Sequence, residues 1–249
     1  MNATTSVKPT STELRVGGLA HLSTCDWPGE LAATVFCQGC GWDCAYCHNP
    51  HLRPTGAEPQ LSWSEVFAFL KSRRGLLDGV VFSGGEPTLQ PALFRAVQAV
   101  RGLGFRIGLH TAGMTPDRFA SVLPCIDWVG FDVKAPFHAY SRITGVDHSG
   151  DKALASLRLL LASGIAYEVR TTLHPALLSA EDMVELRDQL LSLGVTHYAV
   201  QHFRLAGTRP NRLPPDSHQP QPILPPGYGD RFHHFYLRRS SLTAVTPES

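Results

Sequence analysis

The sequence has no long run of lysine or arginine and no excess of one charge sign: 22 basic and 21 acidic side chains leave a formal net charge of +1. No nucleic acid and no membrane surface is therefore expected as a partner, and a small molecule or another protein is the better fit. Apolar segments are broken by charge, glycine or proline well before the roughly 20 residues that span a bilayer. The stretch MNATTSVKPTSTELR is polar and lacks the apolar centre of a signal peptide, so a cytoplasmic location is expected. Neither a P-loop lysine nor a GxGxxG is present, which argues against a phosphate loop. What is there is ordinary in bulk: 249 residues, 43% hydrophobic and 17% charged, enough to bury a core without disulfides.

From residue 31 onward, short apolar runs alternate with longer amphipathic segments, the pattern of βα units around a parallel sheet. LAATVFC (31–37) reads as a strand. A helix follows from Trp63, where Ser62 and Glu65 form a capping-box pattern ahead of Val66, Phe67 and Leu70. GVVF (79–82) is a strand ending at SGGEP; a helix opening near Pro91 leads to the strand FRIGL (105–109), which ends at HTAG. Helices are predicted at 116–123, 151–163 and 180–193, and strands at 126–134, 166–173 and 196–203. The fold class is α/β, with about six repeats: a partial (β/α)6 TIM-like barrel.

Three regions are expected: a flexible N-terminus at 1–15, a core domain at 16–206 and a Pro-rich C-terminal extension at 207–249. Seven of the 19 prolines lie within 207–231. The extension is expected to be a mobile tail, with short helix or coil at RFHHFYLRRSS. Polar residues fall where strands end: the loop cysteines, Ser83 to Glu86, His110 and Thr111, Asp132 and Lys134, Arg170, and Gln201 with His202. In βα barrels the strand C-termini share one mouth, so these side chains are expected to converge.

Four of the six cysteines crowd into FCQGCGWDCAYCHNP (36–50): Cys37, Cys40, Cys44 and Cys47. In a reducing compartment such a cluster reads as metal ligands. Four thiolates could close a zinc site, yet only three residues separate the two CxxC pairs, where zinc ribbons use a much longer excursion. Four could also enclose an electron-transfer cluster, but the spacing matches neither ferredoxin pattern. The remaining choice takes Cys40, Cys44 and Cys47 as ligands and leaves Cys37 as the buried end of a strand. Three thiolates on a four-iron cluster leave one iron open.

CGWDCAYC fits the CxxxCxΦC motif of the radical S-adenosylmethionine (SAM) superfamily, with Tyr46 as Φ, and SGGEP resembles its GGE motif. The words GGLAHLSTCDWPGELAATVFCQGCGWDCAYCHNPHL, VVFSGGEPTLQP, VGFDVKAP and YEVRTTLHP resemble glycyl-radical-enzyme activating proteins, most closely those of anaerobic ribonucleoside-triphosphate reductase. The resemblance implies a [4Fe-4S] cluster on Cys40, Cys44 and Cys47, with SAM chelating the open iron. Tyr46, Cys47 and His48 would line its adenine side, with Asn49 close by. Gly84, Gly85 and Glu86 would hold the amino-acid part, Glu86 meeting the ammonium group. Asp132, Val133, Lys134 and Arg170 would contact ribose or carboxylate, and His202 lies near the last strand where relatives contact SAM.

Flavodoxin or ferredoxin would supply one electron, and the radical formed would take hydrogen from a glycine of the partner reductase. No catalytic side chain beyond the cluster and SAM is required. Where related activators often carry Asp-Thr-Asn-Gly, this chain has His110-Thr111-Ala112-Gly113, so the Asp of a cation site is absent; His110 reads as a hydrogen-bonded cleft histidine, with a substitute cation ligand as the alternative. Cys25 and Cys125 read as ordinary thiols. No cysteine falls between Cys47 and Gly84, so the ferredoxin-like insert of several activators is missing. Two other readings compete: a radical SAM enzyme acting on a small molecule, such as a deazapurine synthase, and a non-enzymatic zinc-stabilised binding module.

Overall fold

A computed structural model describes residues 13–174, 176–209, 213 and 224–238. Eight strands form a single sheet in chain order: β1 (Val16–Ser23), β2 (Ala32–Cys37), β3 (Gly79–Gly84), β4 (Arg106–Thr111), β5 (Trp128–Asp132), β6 (Ala166–Leu173), β7 (His197–His202) and β8 (His234–Arg238). β1 runs antiparallel to β2, and every later neighbour is parallel. The six strands β2 to β7 carry the helices α1 (Trp63–Ser72), α2 (Leu93–Gly102), α3 (Pro116–Val122), α4 (Tyr140–Thr144), α5 (Ser149–Ser163) and α6 (Ala180–Ser192). This is the partial (β/α)6 barrel. Among the described residues, no helix is long and apolar enough to cross a membrane.

Local signals account for most of these elements. Ser62 caps α1 by accepting from the Glu65 N–H, and the Glu65 carboxylate accepts from the Ser62 N–H, the reciprocal pair read from the sequence. Along each parallel strand the side chains alternate, so Val80, Phe82, Ile107, Leu109, Val129 and Phe131 pack beneath the helices in the main core. The other face lines the barrel lumen. There Trp27, Ala32, Val81 and Trp128 form a separate small cluster, with Trp27 stacked on Trp128 at 5.7 Å. A Cβ at Gly79 or Gly108 would lie under 3 Å from the Trp27 ring, so these two glycines admit it. The β1–β2 connection thereby closes the floor of the barrel.

VGGLAHLS, for which no element is predicted, forms β1; its glycines and alanine carry little strand propensity. The segment RFHHFYLRRSS, expected as helix or coil, contains β8, which extends the sheet beyond β7. Its largely exposed edge position supplies no alternating apolar signal. Tyr228 and Phe232 just before it are buried against Tyr198, so residues 224–238 are a packed part of the domain rather than a mobile tail. Residues 1–12 and the prolines within 210–223 lie outside the described residues.

Candidate active site

The cysteine loop leaves β2 at Cys37 and is tied down by backbone. Gly39 and Cys40 donate to the carbonyls of Leu52 and Arg53 (2.7 and 3.0 Å), and Asp43 and Ala45 donate to Thr144 and Ile143 at the end of α4 (2.8 and 3.3 Å). Arg53 pairs with Asp43 at 2.5 Å, and its Nε donates to the Trp42 carbonyl. On the other side, Gly85 and Glu86 donate to the carbonyls of Cys37 and Gly39 (both 2.9 Å). The glycines of SGGEP are required here. Gly84 has φ +106°, and a Cβ on Gly85 would sit 2.2 Å from the Gly39 oxygen. They make room for the protein's own cysteine loop, a use the sequence reading had given to an incoming ligand.

The strand ends surround a cavity of about 310 Å³. Cys40, Cys44, Tyr46, Cys47, His48, Asn49, Gly84, Gly85, Glu86, Asp132, Lys134 and Arg170 all line it, together with Ser83, His110, Thr111 and Gln201. Val133 and His202 do not. Val133 is fully buried, its N–H donating to the Arg170 carbonyl, and His202 is the outward neighbour of Gln201. Cys37 is likewise buried away from the cavity. The sequence reading missed Asp26, Phe36, Trp42, Ala112 and Thr172 on the wall. Asp26 comes from the β1–β2 connection, which lies within the stretch resembling activating proteins but was assigned no ligand role.

Glu86 is buried and its carboxylate is engaged. Oε1 accepts from the Thr88 and Thr111 hydroxyls (both 2.6 Å) and the Thr88 N–H, and Oε2 accepts from the Ala112 N–H. Burial pushes its pKa up even so, against these four donors. One lone pair of Oε2 is left over. The carboxylate therefore ties the end of β3 to the end of β4.

A charged layer lies below the cavity. His110 Nε2 lies 2.7 Å from the Asp26 carbonyl oxygen and 3.1 Å from Arg170 Nη1, and Nδ1 lies 3.2 Å from the Ser83 hydroxyl. Both ring nitrogens are used, leaving none for a cation. Burial first, and then the adjacent Arg170 charge, hold the ring neutral down to a pKa of about 4. Arg170 Nε donates to Glu168 Oε1 at 2.8 Å, and Glu168 also receives both terminal nitrogens of Arg238 from β8 at 2.7 Å. Burial opposes ionisation of Glu168, but the two arginines hold its pKa below the usual value. Arg170 Nη2 is buried without an acceptor. Nearer the loop, Lys134 Nζ lies 3.6 Å from Asp132 and 5.9 Å from the centre of the Tyr46 ring.

Among the described residues, the one group of three or more His, Cys, Asp or Glu ligand atoms within 4.8 Å of one another is elsewhere, at His197, His233 and His234. The loop cysteines form no such group. A single tetrahedral zinc with Zn–S bonds of about 2.3 Å needs its sulfurs closer than that. Burial pushes Cys40 up to about 12 and raises Cys44 as well. Both thiols would therefore have to give up a proton on taking a metal.

Three thiols spread around one loop suit a cluster that keeps an iron open, and the parallel half-barrel beneath them defines the class: an iron–sulfur enzyme that acts through a bound small molecule. The profile of the radical SAM superfamily matches residues 34–190, and the chain belongs to that superfamily. It is a radical SAM enzyme whose cofactors are a [4Fe-4S] cluster and SAM. The residues present fit both: three thiols line the cavity, and the orphaned Arg170 Nη2 lacks an anion such as the SAM carboxylate.

A protein of Methanocaldococcus jannaschii named as a glycyl-radical enzyme activating enzyme is 30% identical over 200 residues, covering 76% of this chain and 79% of its own. The 7-carboxy-7-deazaguanine synthase of Methanopyrus kandleri is 31% identical over 157 residues, 54% of this chain and 60% of its own. Streptococcus suis SuiB bound to S-adenosylmethionine shares the fold, with a TM-score of 0.58 at 13% identity over 82% of this chain and 48% of that one.

Proposed function

We propose that the protein is an activating enzyme that generates a glycyl radical on anaerobic ribonucleoside-triphosphate reductase, with flavodoxin or ferredoxin as electron donor and the reducing cytoplasm as its compartment. The observation that carries this reading is the size of the cavity. About 310 Å³ is at the bottom of the range of roughly 300–1,000 Å³ for small-molecule sites. That leaves little room for a second small molecule beside the cofactor and favours a hydrogen donor that reaches the mouth from outside, as a loop of a protein partner can. The Methanocaldococcus relative supports the activator class over most of both chains. The reductase as target rests on the resemblance of residues 17–52 to its activators.

When bound, the cluster and SAM supply one-electron cleavage to methionine and a 5′-deoxyadenosyl radical able to take a hydrogen atom from a backbone glycine. The protein binds, orients and excludes water. In this reading Cys40, Cys44 and Cys47 hold the cluster. Tyr46, His48 and Asn49 face the adenine, Asp132 accepts from ribose hydroxyls, and Lys134 and Arg170 neutralise the carboxylate. Gly84, Gly85 and the remaining lone pair of Glu86 Oε2 face the ammonium group.

The deazaguanine synthase relative keeps a second reading in play, a small-molecule substrate inside the barrel. The test is anaerobic. The protein is reconstituted with iron and sulfide, reduced and given SAM, and 5′-deoxyadenosine is assayed with and without the reductase, alongside electron paramagnetic resonance. Deoxyadenosine together with a glycyl radical on the reductase is the expected result. Cleavage without a radical on the reductase would reject that target, and bound zinc without cleavage would reject the enzyme.

A further inference from the structure

We propose that His197, His233 and His234 form a second metal site, for a borderline divalent cation of the zinc type, at the end of β7 and β8 opposite the cavity. His197 and His234 open their strands and are register partners across the β7–β8 pair, so their rings meet on one side of the sheet, with centroids 4.4 Å apart. His233 stands beside them, 4.4 Å from His234 and 6.1 Å from His197. One ligand nitrogen from each lies within 4.8 Å of the others. Small rotamer changes bring three imidazoles to the roughly 2.0–2.1 Å bonds zinc requires, with water in the fourth position.

A second feature prepares the site. His197 Nδ1 lies 3.0 Å from Thr196 Oγ1, which is itself 3.0 Å from the Tyr167 hydroxyl. With Nδ1–H donating to the threonine, Nε2 holds the lone pair that a metal takes. Such an outer hydrogen bond is what orients ligating histidines. A cation here would clamp β8 to β7. Because β8 carries Arg238, which holds Glu168 and through it Arg170, the clamp secures the outermost layer supporting the cavity.

The test is calorimetric titration of zinc into protein whose cluster is already loaded, so that the loop cysteines are occupied, with cluster content followed by absorbance. One equivalent is expected, together with a rise in unfolding temperature. His197→Ala, His233→Ala and His234→Ala should each weaken binding by more than the roughly 10–100-fold that outer-sphere changes cost. Cys25→Ser and Cys125→Ser should leave it unchanged. His233 and His234 are exposed, so their variants fold and remain informative even if His197→Ala does not. Absence of zinc binding, undiminished binding in the His233→Ala/His234→Ala double variant, or loss on removing Cys25 or Cys125 would each overturn the site.

Discussion

Arg170 is the residue at which the cavity asks most plainly for a ligand. Its Nε is held by Glu168 while Nη2 is buried without an acceptor, a state that costs about 1–3 kcal/mol until an anion arrives. Arg170→Met should weaken SAM binding to the cluster-loaded protein between about tenfold and a hundredfold, the size of a charged hydrogen bond of roughly 1.5–3 kcal/mol. Arg170→Lys should recover little, because one ammonium cannot serve Glu168 and a carboxylate together. Equilibrium SAM binding measures this, and an unchanged constant in Arg170→Met would remove the residue from the site. Arg170 was legible from its place on a strand. Its supports Glu168 and Arg238 were not, since one looks like an ordinary strand residue and the other lies in a segment with no strand signal. Strand alternation also separates Gln201 from His202 and Asp132 from Val133: within each pair only the first faces the cavity. Motif resemblance had favoured the second members as well.

At the scale of elements, the meeting of β3 with the cysteine loop decides whether the ligands are held. The end of β3 lies so close to residues 37–39 that a Cβ on Gly85 would strike the Gly39 oxygen at 2.2 Å and the Gly39 carbonyl carbon at 2.7 Å. Both belong to backbone that is hydrogen bonded on each side, so the clash is not relieved by a rotamer. Gly85→Ala should therefore push the loop off β3 and lower the iron retained after reconstitution, while the helices and the rest of the sheet persist. Iron and sulfide analysis with circular dichroism would measure it, and full cluster loading would contradict the close-approach account. The parallel strands were readable because each is a short apolar run between amphipathic helices. β1 and β8 were hidden for different reasons: β1 is rich in glycine and alanine, which carry little strand propensity, and β8 is an edge strand that exposes much of its length, so the periodicity that betrays a core strand is weak there.

For the molecule as a whole, the consequence of stacking a charged layer between the tryptophan floor and the cavity is a dependence of stability on pH. His110 sits in that layer, and His174, fully buried against Tyr46 and Phe203, is held neutral by burial; both have pKa values lowered to about 4. In the unfolded chain a histidine titrates near 6.5. Between those values the unfolded state binds more protons than the folded one, so stability is full above about pH 6.5 and is lost as pH falls towards 4. From pH 7 to pH 5 each histidine should cost up to about 2 kcal/mol. Glu86 works in the opposite sense, since a buried carboxyl with a raised pKa takes up its proton earlier in the folded state. The informative quantity is therefore the difference between variants. Denaturant unfolding of His110→Gln at the two pH values should show a smaller drop than the parent by about that amount. An identical drop in both proteins would mean that the imidazole in the lumen is not what the fold keeps neutral.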